Sequence, residues 1–379
     1  MPKKNKPFRF VHCADLHLGF KQYGLKDRMR DFINVFHDVV EYMMKNSIKY
    51  LLISGDIFHK KDITPETLYE FETILDINED ITVIVVEGNH DNTHSIESVS
   101  WLKYLALKRK IDLVGQSLGN YRTFHNNKVR ITGMPYYGAS TKSKLEELKI
   151  LCEKDIEKHD IEILMLHAGV LGVIPNTGNI TPSDLMQFNK HFDCILLGHI
   201  HKPYEIENFI FNPGSLEMCS TTEATFKGGF YDMTISNGKI DRKHIETQRR
   251  KVHQLTINAD IINKYRWKKL IEKDSIMEVT IVGQVEKKIN TKIVLEKIKE
   301  CSPLHVLIKD KTSIEGQDIV IKSTNREEIE RNVINDLTGD QQLTELIIDI
   351  KNSNDDDETT VKKFYNYLGD DLASEETDT

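Results

Sequence analysis

Short apolar runs alternate with amphipathic stretches along the first two thirds of the chain. FRFVHCAD, YLLISGD, ITVIVVEGN, VRITGMPY, EILMLHAG, CILLGHIH and GGFYDMTI are each too short for a helix and bounded by turn formers, the pattern of buried strands. Between the first three lie two segments of helical periodicity, Arg28–Asn46 and Thr64–Leu75. The second opens Thr64-Pro65-Glu66-Thr67, which supplies an N-cap, a proline at the first helical position and an early acid. Alternating strands and helices predict an α/β core. Because the later strands follow with fewer helices, the expected form is a sandwich of two mixed β-sheets flanked by helices, occupying residues 1–248.

Residues 249–322 read as a smaller α/β unit. Lys251–Ile257 and Met277–Val282 have strand character, Thr291–Lys299 is helical, and His305–Lys309 and Ile319–Lys322 are expected to pair. Residues 323–379 turn acidic and helical, in REEIERNVINDL, LTELIIDIKN and TVKKFYNYLGDDL, with a solvated turn at Asn354–Glu358 and a disordered end, ASEETDT. A chain of 379 residues is expected to divide in this way.

Charge sharpens the division. The total is −8, yet residues 323–379 alone hold 16 acidic and 5 basic side chains, a balance of −11 that leaves +3 for the rest. Bulk charge therefore does not exclude a polyanionic substrate. No apolar run approaches the roughly 20 residues needed to span a bilayer, and Asp15 and His17 interrupt the start before a signal sequence develops. The five cysteines (Cys13, Cys152, Cys194, Cys219 and Cys301) have no CxxC spacing, which argues for a reducing compartment and against a structural zinc. A cytoplasmic location is expected, nucleoid-associated in a prokaryote.

The chemistry lies where the strands end. Successive runs finish at Asp15 and His17, at Asp56, at Asn89 and His90, at His167, and at His199 and His201. Singly these are ambiguous, since an aspartate at a strand end often caps a helix and Asn and Asp form turns. Together, five strands deliver metal-competent side chains at their carboxyl ends, where α/β proteins place their sites. Imidazole, carboxylate and one amide, with no thiolate, favour manganese, iron, zinc or magnesium. Two such ions ~3.5–4 Å apart can grip a phosphate. Asp56 is the natural bridge, and each preceding glycine is expected to let the backbone turn sharply.

The series DLH, GDIF, GNHD, LMLHAG and GHIH resembles the calcineurin-like metallophosphoesterase superfamily over about residues 8–245. The resemblance implies that Asp15, His17, Asp56 and His201 hold one ion, and that Asp56, Asn89, His167 and His199 hold the other. It also implies that His90 faces the phosphate and serves the leaving oxygen. Within the superfamily, VHCADLHLGF, SGDIFHKKDITPETL, EGNHD, GHIHKP and NPGSLEM are similar to the DNA double-strand-break repair nucleases of the Mre-eleven/SbcD type, and an archaeal source is expected. That similarity implies a manganese-dependent 3′-to-5′ exonuclease and single-strand endonuclease acting on DNA ends, with His59 as a second active-site histidine. It further implies a capping domain, a tail that binds an SMC-like coiled-coil ATPase (Rad-fifty/SbcC type), and a homodimer through helices near 64–75 and 98–107. For the dimer, Leu68, Phe71, Leu102 and Leu105 are the apolar residues of interest; for the ATPase, Val361, Phe364, Tyr365 and Leu368. The alternative is a phosphodiesterase acting on a small molecule or a lipid.

Overall fold

The computed structural model describes residues 7–92, 99–126, 128–175, 177–314, 334, 341–352, 361–363 and 367. Met1–Thr312 form one compact unit and Ser313–Thr379 another.

The first unit is built on two six-stranded sheets. In chain order the strands are β1 (Phe8–Cys13), β2 (Tyr50–Ser54), β3 (Thr82–Val86), β4 (Asp112–Leu113), β5 (Tyr121–Phe124), β6 (Val129–Met134), β7 (Ile161–His167), β8 (Cys194–Gly198), β9 (Tyr204–Ile206), β10 (Ile210–Asn212), β11 (Gly229–Ser236) and β12 (Lys239–Glu246). One sheet has the order β12-β11-β1-β2-β3-β4 and the other β5-β6-β7-β8-β10-β9. In the first, β1 to β4 run parallel and β11 and β12 are antiparallel. In the second, β6, β7, β8 and β10 are parallel, with β5 and β9 antiparallel at its edges. Every expected strand of this region is present, in two mixed sheets.

Both faces of the central strands are covered, which is why they read as unbroken apolar runs. Phe8 and Phe10 of β1, Leu52 of β2, Ile84 and Val86 of β3, Ile163 and Met165 of β7, and Leu196 of β8 meet in a core between the sheets. The alternate residues Val11, Cys13, Leu51, Ile53, Val83 and Val85 face outward, against helices α1 (Lys26–Lys45), α2 (Pro65–Ile77) and α3 (Trp101–Leu107). On the far side Leu164, Leu166, Ile195 and Leu197 pack under α4 (Thr141–Lys154) and α5 (Pro182–Met186). Helix α1 turns Phe32, Phe36, Val39 and Met43 inward, each fully buried side chain contributing about 1.5–3 kcal/mol. At α2, the Thr64 side chain accepts the Thr67 N–H at 3.3 Å and Pro65 opens the helix, as the sequence spells out. Helix α4 and the solvent-exposed strand β12 were not anticipated; both are largely polar, with shallow apolar stripes.

Beyond β12, β13 (Val252–Asn258) pairs in parallel with β14 (Ile276–Val285), and β15 (His305–Ile314) completes a three-stranded sheet under α6 (Thr291–Lys299). Ile257, Trp267, Met277, Val279, Ile281, Val294 and Ile298 form its core. The expected strand Ile319–Lys322 lies outside the described residues.

A buried ionic network joins this sheet to the sandwich. Arg28, with no exposed side-chain surface, donates to Gln22 Oε1 (2.8 Å), Asp31 Oδ2 (2.5 Å), Glu217 Oε1 (3.2 Å) and the Met218 carbonyl (2.9 Å). Arg250 grips Asp31 through two bonds of 2.5 and 2.6 Å and donates to the Asp274 carbonyl at 2.6 Å. Glu278 of β14 accepts from Thr221 and pairs with Lys309 of β15.

In the second unit, the helix Gln341–Asn352 buries Thr344, and Asp349 pairs with Lys363 at 2.5 Å. Phe364, Tyr365, Leu368 and, apart from Ile334, the segment REEIERNVINDL lie outside the described residues.

Candidate metal centre

The carboxyl ends of β1, β2, β3, β7 and β8 lie along one edge of the sandwich, where the two sheets draw close. A Cβ on Gly198 would fall on the Ser54 carbonyl oxygen, and one on Gly55 would strike the His167 ring, so larger residues would force the sheets apart. Gly55 also has φ +86°, the sharp turn expected before Asp56, whereas Gly88 and Gly198 have ordinary backbone and are needed for space alone. The ligand positions themselves carry the unusual conformations. Asp15 (φ 54°), His17 (46°), Asp56 (53°) and His199 (83°) all sit in the left-handed region, disfavoured for residues with a Cβ. Such backbone costs of order 1–3 kcal/mol per residue and clusters at functional sites.

All seven expected donor residues converge, in two nests. In the first, His17 Nε2 and His201 Nε2 face each other at 3.0 Å, with Asp56 Oδ2 4.0 Å from His17 Nε2. In the second, His167 Nε2 lies 3.1 Å from Asn89 Oδ1, 3.3 Å from His199 Nδ1 and 3.3 Å from Asp56 Oδ2, and His199 Nδ1 is 3.0 Å from Asn89 Oδ1. Asp15 joins Asp56 and His167 in a carboxylate–imidazole group whose donor atoms lie within 4.8 Å of one another. Around a cation with bonds of about 2.1 Å, neighbouring donors stand about 3.0–3.4 Å apart. The four distances of the second nest have that spacing, and one oxygen of Asp56 is shared between the two.

Hydrogen bonds behind the donors fix which ring nitrogen is free. His167 Nδ1 donates to the Ser54 carbonyl at 2.8 Å and His201 Nδ1 to Glu223 Oε1 at 3.1 Å, so in both rings Nε2 is the nitrogen turned inward, for a proton or a metal to occupy. Glu223 is in turn held by the Cys219 N–H at 3.0 Å. His199 N–H reaches both oxygens of Asp15 at 3.0 Å. Lone pairs aimed at one another repel unless a proton or a cation lies between them. The residues therefore fit a pair of divalent ions.

His90 is not among the close donors. Its backbone N–H donates to Asp56 Oδ1 (2.9 Å), its Nδ1 donates to the His59 carbonyl (2.6 Å), and its Nε2 stays 3.9 Å from Asp56 Oδ2 on a side chain 37% exposed. His59 stacks on Phe20 at 3.7 Å between ring centres and sets Nδ1 3.4 Å from His17 Nδ1. Burial lowers His59 to about 4 and His199 to about 4, so both rings are neutral at pH 7. Burial also presses on His167, but the Asp56 carboxylate outweighs it and raises the ring to about 9. On Asp56 burial is overcome by His167 and His17, which hold its carboxyl well below the usual range, while burial lifts Asp15 to about 6.

Two supports escaped the sequence reading. Asp91, the last residue of GNHD, accepts the N–H groups of Ile57 (3.3 Å), Phe58 (3.1 Å) and Gly88 (3.1 Å), tying the loops after β2 and β3 together. Its motif position could have drawn attention; nothing in TTEAT marks Glu223. Cys219 also lies close by, its sulfur within 4.8 Å of ligand atoms on His17 and His201. Burial holds that thiol up at about 11. His12 is buried, with Nε2 3.0 Å from Ser54 Oγ.

The match to the calcineurin-like phosphoesterase family model covers residues 8–203. The chain is 30% identical over 329 residues to the DNA double-strand break repair protein Mre11 of Methanocaldococcus jannaschii, an alignment covering 82% of each chain. It is 31% identical over 237 residues to the protein of that name from Archaeoglobus fulgidus, where 57% of this chain spans about half, 52%, of the relative. With the SbcD component of the nuclease SbcCD from Staphylococcus saprophyticus the identity is 25% across 89% of this chain and 95% of the other. The chain belongs to the calcineurin-like phosphoesterases, metal-dependent phosphoester hydrolases, on the branch that holds the Mre11 and SbcD proteins.

Proposed function

We propose that this chain is a manganese-dependent DNA nuclease that processes double-strand breaks, as a 3′-to-5′ exonuclease and a single-strand endonuclease. The observation that carries the reading is the pair of donor nests sharing Asp56 Oδ2, built from five strand ends beside a part-buried histidine. Asp15, His17, Asp56 and His201 hold one ion; Asp56, Asn89, His167 and His199 hold the other. Oxygen and nitrogen donors of this kind suit manganese. When bound, the ions polarise a phosphodiester and lower the pKa of water to near neutrality.

The chain's own groups supply the rest. His90 donates an Nδ1–H hydrogen bond to the His59 carbonyl, which leaves Nε2, 3.9 Å from Asp56 Oδ2, as the atom that would deliver a proton to the departing oxygen from the imidazolium form of the ring. The His59 carbonyl thus positions His90, and the neutral His59 ring, stacked on Phe20, lines the approach.

The relatives' names support a DNA substrate and a coiled-coil ATPase partner of the SbcC type. We assign residues 1–248 to the nuclease core, 249–322 to a cap and 323–379 to partner binding, and we place the chain's work in the cytoplasm. Among the described residues no helix is long and apolar enough to cross a membrane. A homodimer through α2 and α3 belongs to the same reading. Phe71, Leu102 and Leu105 are buried against the sheet and Leu68 is partly so, whereas Tyr69 (67% exposed) and Leu107 (78%) are open. The test is competition in manganese between a chromogenic phosphodiester and duplex DNA with a recessed end. The duplex should be cut and should inhibit the small substrate; a duplex that does neither overturns the nuclease reading in favour of a small phosphoester.

A further inference from the structure

We propose that Cys219 is a further metal ligand in the first nest, giving that ion position a histidine–histidine–cysteine face that selects thiophilic cations. The inference rests on the dinuclear reading above and deepens it.

His17, His201 and Cys219 each bring one potential ligand atom within 4.8 Å of the others. Around a tetrahedral ion with nitrogen bonds of about 2.0–2.1 Å and a sulfur bond of about 2.3 Å, donors stand about 3.3–3.6 Å apart. The three groups are therefore within about an ångström of closing on one ion. His17 and His201 have already done so, at 3.0 Å.

The backbone of Cys219 is clamped from both sides. Its N–H donates to Glu223 Oε2 at 3.0 Å and its carbonyl accepts from Gln22 Nε2 at 2.8 Å. Glu223 also orients His201, so one carboxylate sets both the imidazole and the thiol-bearing backbone. Only the short side chain has to turn. On coordination the sulfur gives its proton to solvent and binds as thiolate, which favours zinc, cadmium and cobalt over magnesium and manganese. Among the described residues no sulfur is grouped with the second nest of Asp56, Asn89, His167 and His199, so the two positions differ in softness. Competing thiophilic ions should enter the first position and resist exchange.

The test is cobalt loading of the full chain, read by absorption. A bound thiolate gives an intense near-ultraviolet sulfur-to-cobalt charge-transfer band, which nitrogen and oxygen donors alone do not. The expected result is that band in the native chain and its loss in Cys219→Ser, with weaker visible cobalt bands kept. In cadmium titrations the variant should bind at least about tenfold more weakly, with a smaller change for manganese. A second reading needs no variant: cadmium should slow alkylation of Cys219, located by peptide mapping, and magnesium should not. Cobalt that binds without the charge-transfer band, together with alkylation unaffected by cadmium, overturns the thiolate ligand while leaving the dinuclear centre standing. A chain that takes up no cobalt overturns both.

Discussion

Two clusters of buried polar side chains sit in the same unit and differ in kind. Around Arg28, cations and anions alternate: Arg28 with Asp31 and Glu217, Arg250 with Asp31, each donor bonded to an acceptor. At the strand ends, acceptors face acceptors: His17 and His201 at 3.0 Å, and His167, His199 and Asn89 within 3.3 Å of one another. The first is complete in the folded chain and fastens the three-stranded sheet to the sandwich. The second needs a proton or a cation between its donors, and its left-handed residues add strain. A buried network that is closed in charge is structural; one that is open is a site.

That contrast can be broken from either side. The largest effect is expected at Asp56, the residue common to both nests: Asp56→Ala should abolish measurable DNA cleavage and reduce metal uptake to less than one ion per chain, read by elemental analysis after dialysis. His90→Asn should keep the metal content and lose about 10²–10⁴-fold in turnover, because only proton delivery is removed. In the closed network, Arg28→Met strands Glu217 in the interior and should cost about 3–5 kcal/mol in denaturant unfolding, with metal content per folded chain unchanged. Adding Glu217→Leu should recover part of that loss, since the unpaired charge goes with it.

Smaller effects separate the supports from the ligands. Glu223→Gln weakens the hold on His201 and should lower metal affinity about 10–100-fold in calorimetric titration. The pH dependence follows from protons that a metal must displace. Without metal, the His167 ring is held up to about 9 chiefly by Asp56, against burial, and His201 is raised well above its ordinary value by its Cys219 and Glu223 contacts. Below those values proton and metal compete, so affinity should climb with pH by about tenfold per unit for each proton released, the His167 share flattening near pH 9. An affinity independent of pH between 6 and 8 would show that these rings are not the ligands.

Much of the open cluster was legible in the sequence, because a strand buried on both faces shows as an apolar run and its end marks the sheet edge. All seven residues that converge there, and His90, could be named from where those runs stop. The closed network was not, since Arg28 and Asp31 look like the solvated face of α1 until Glu217 and Arg250 arrive from about 190 and 220 residues away. Cys219 and Glu223 were invisible for the same reason: their roles depend on a loop returning beside His201. The left-handed backbone at Asp15, His17, Asp56 and His199 has no compositional sign, none of these residues being glycine. Leu102 and Leu105 fitted a dimer face and a core face equally by spacing, and burial assigns them to the core.

The most direct test of the central claim is crystallographic: diffraction from manganese-soaked crystals at the manganese absorption edge. Two anomalous peaks are expected ~3.5–4 Å apart with Asp56 between them, one beside His17 and His201 and the other beside Asn89, His167 and His199. A single peak, or two that leave either group of residues without an ion, would contradict it.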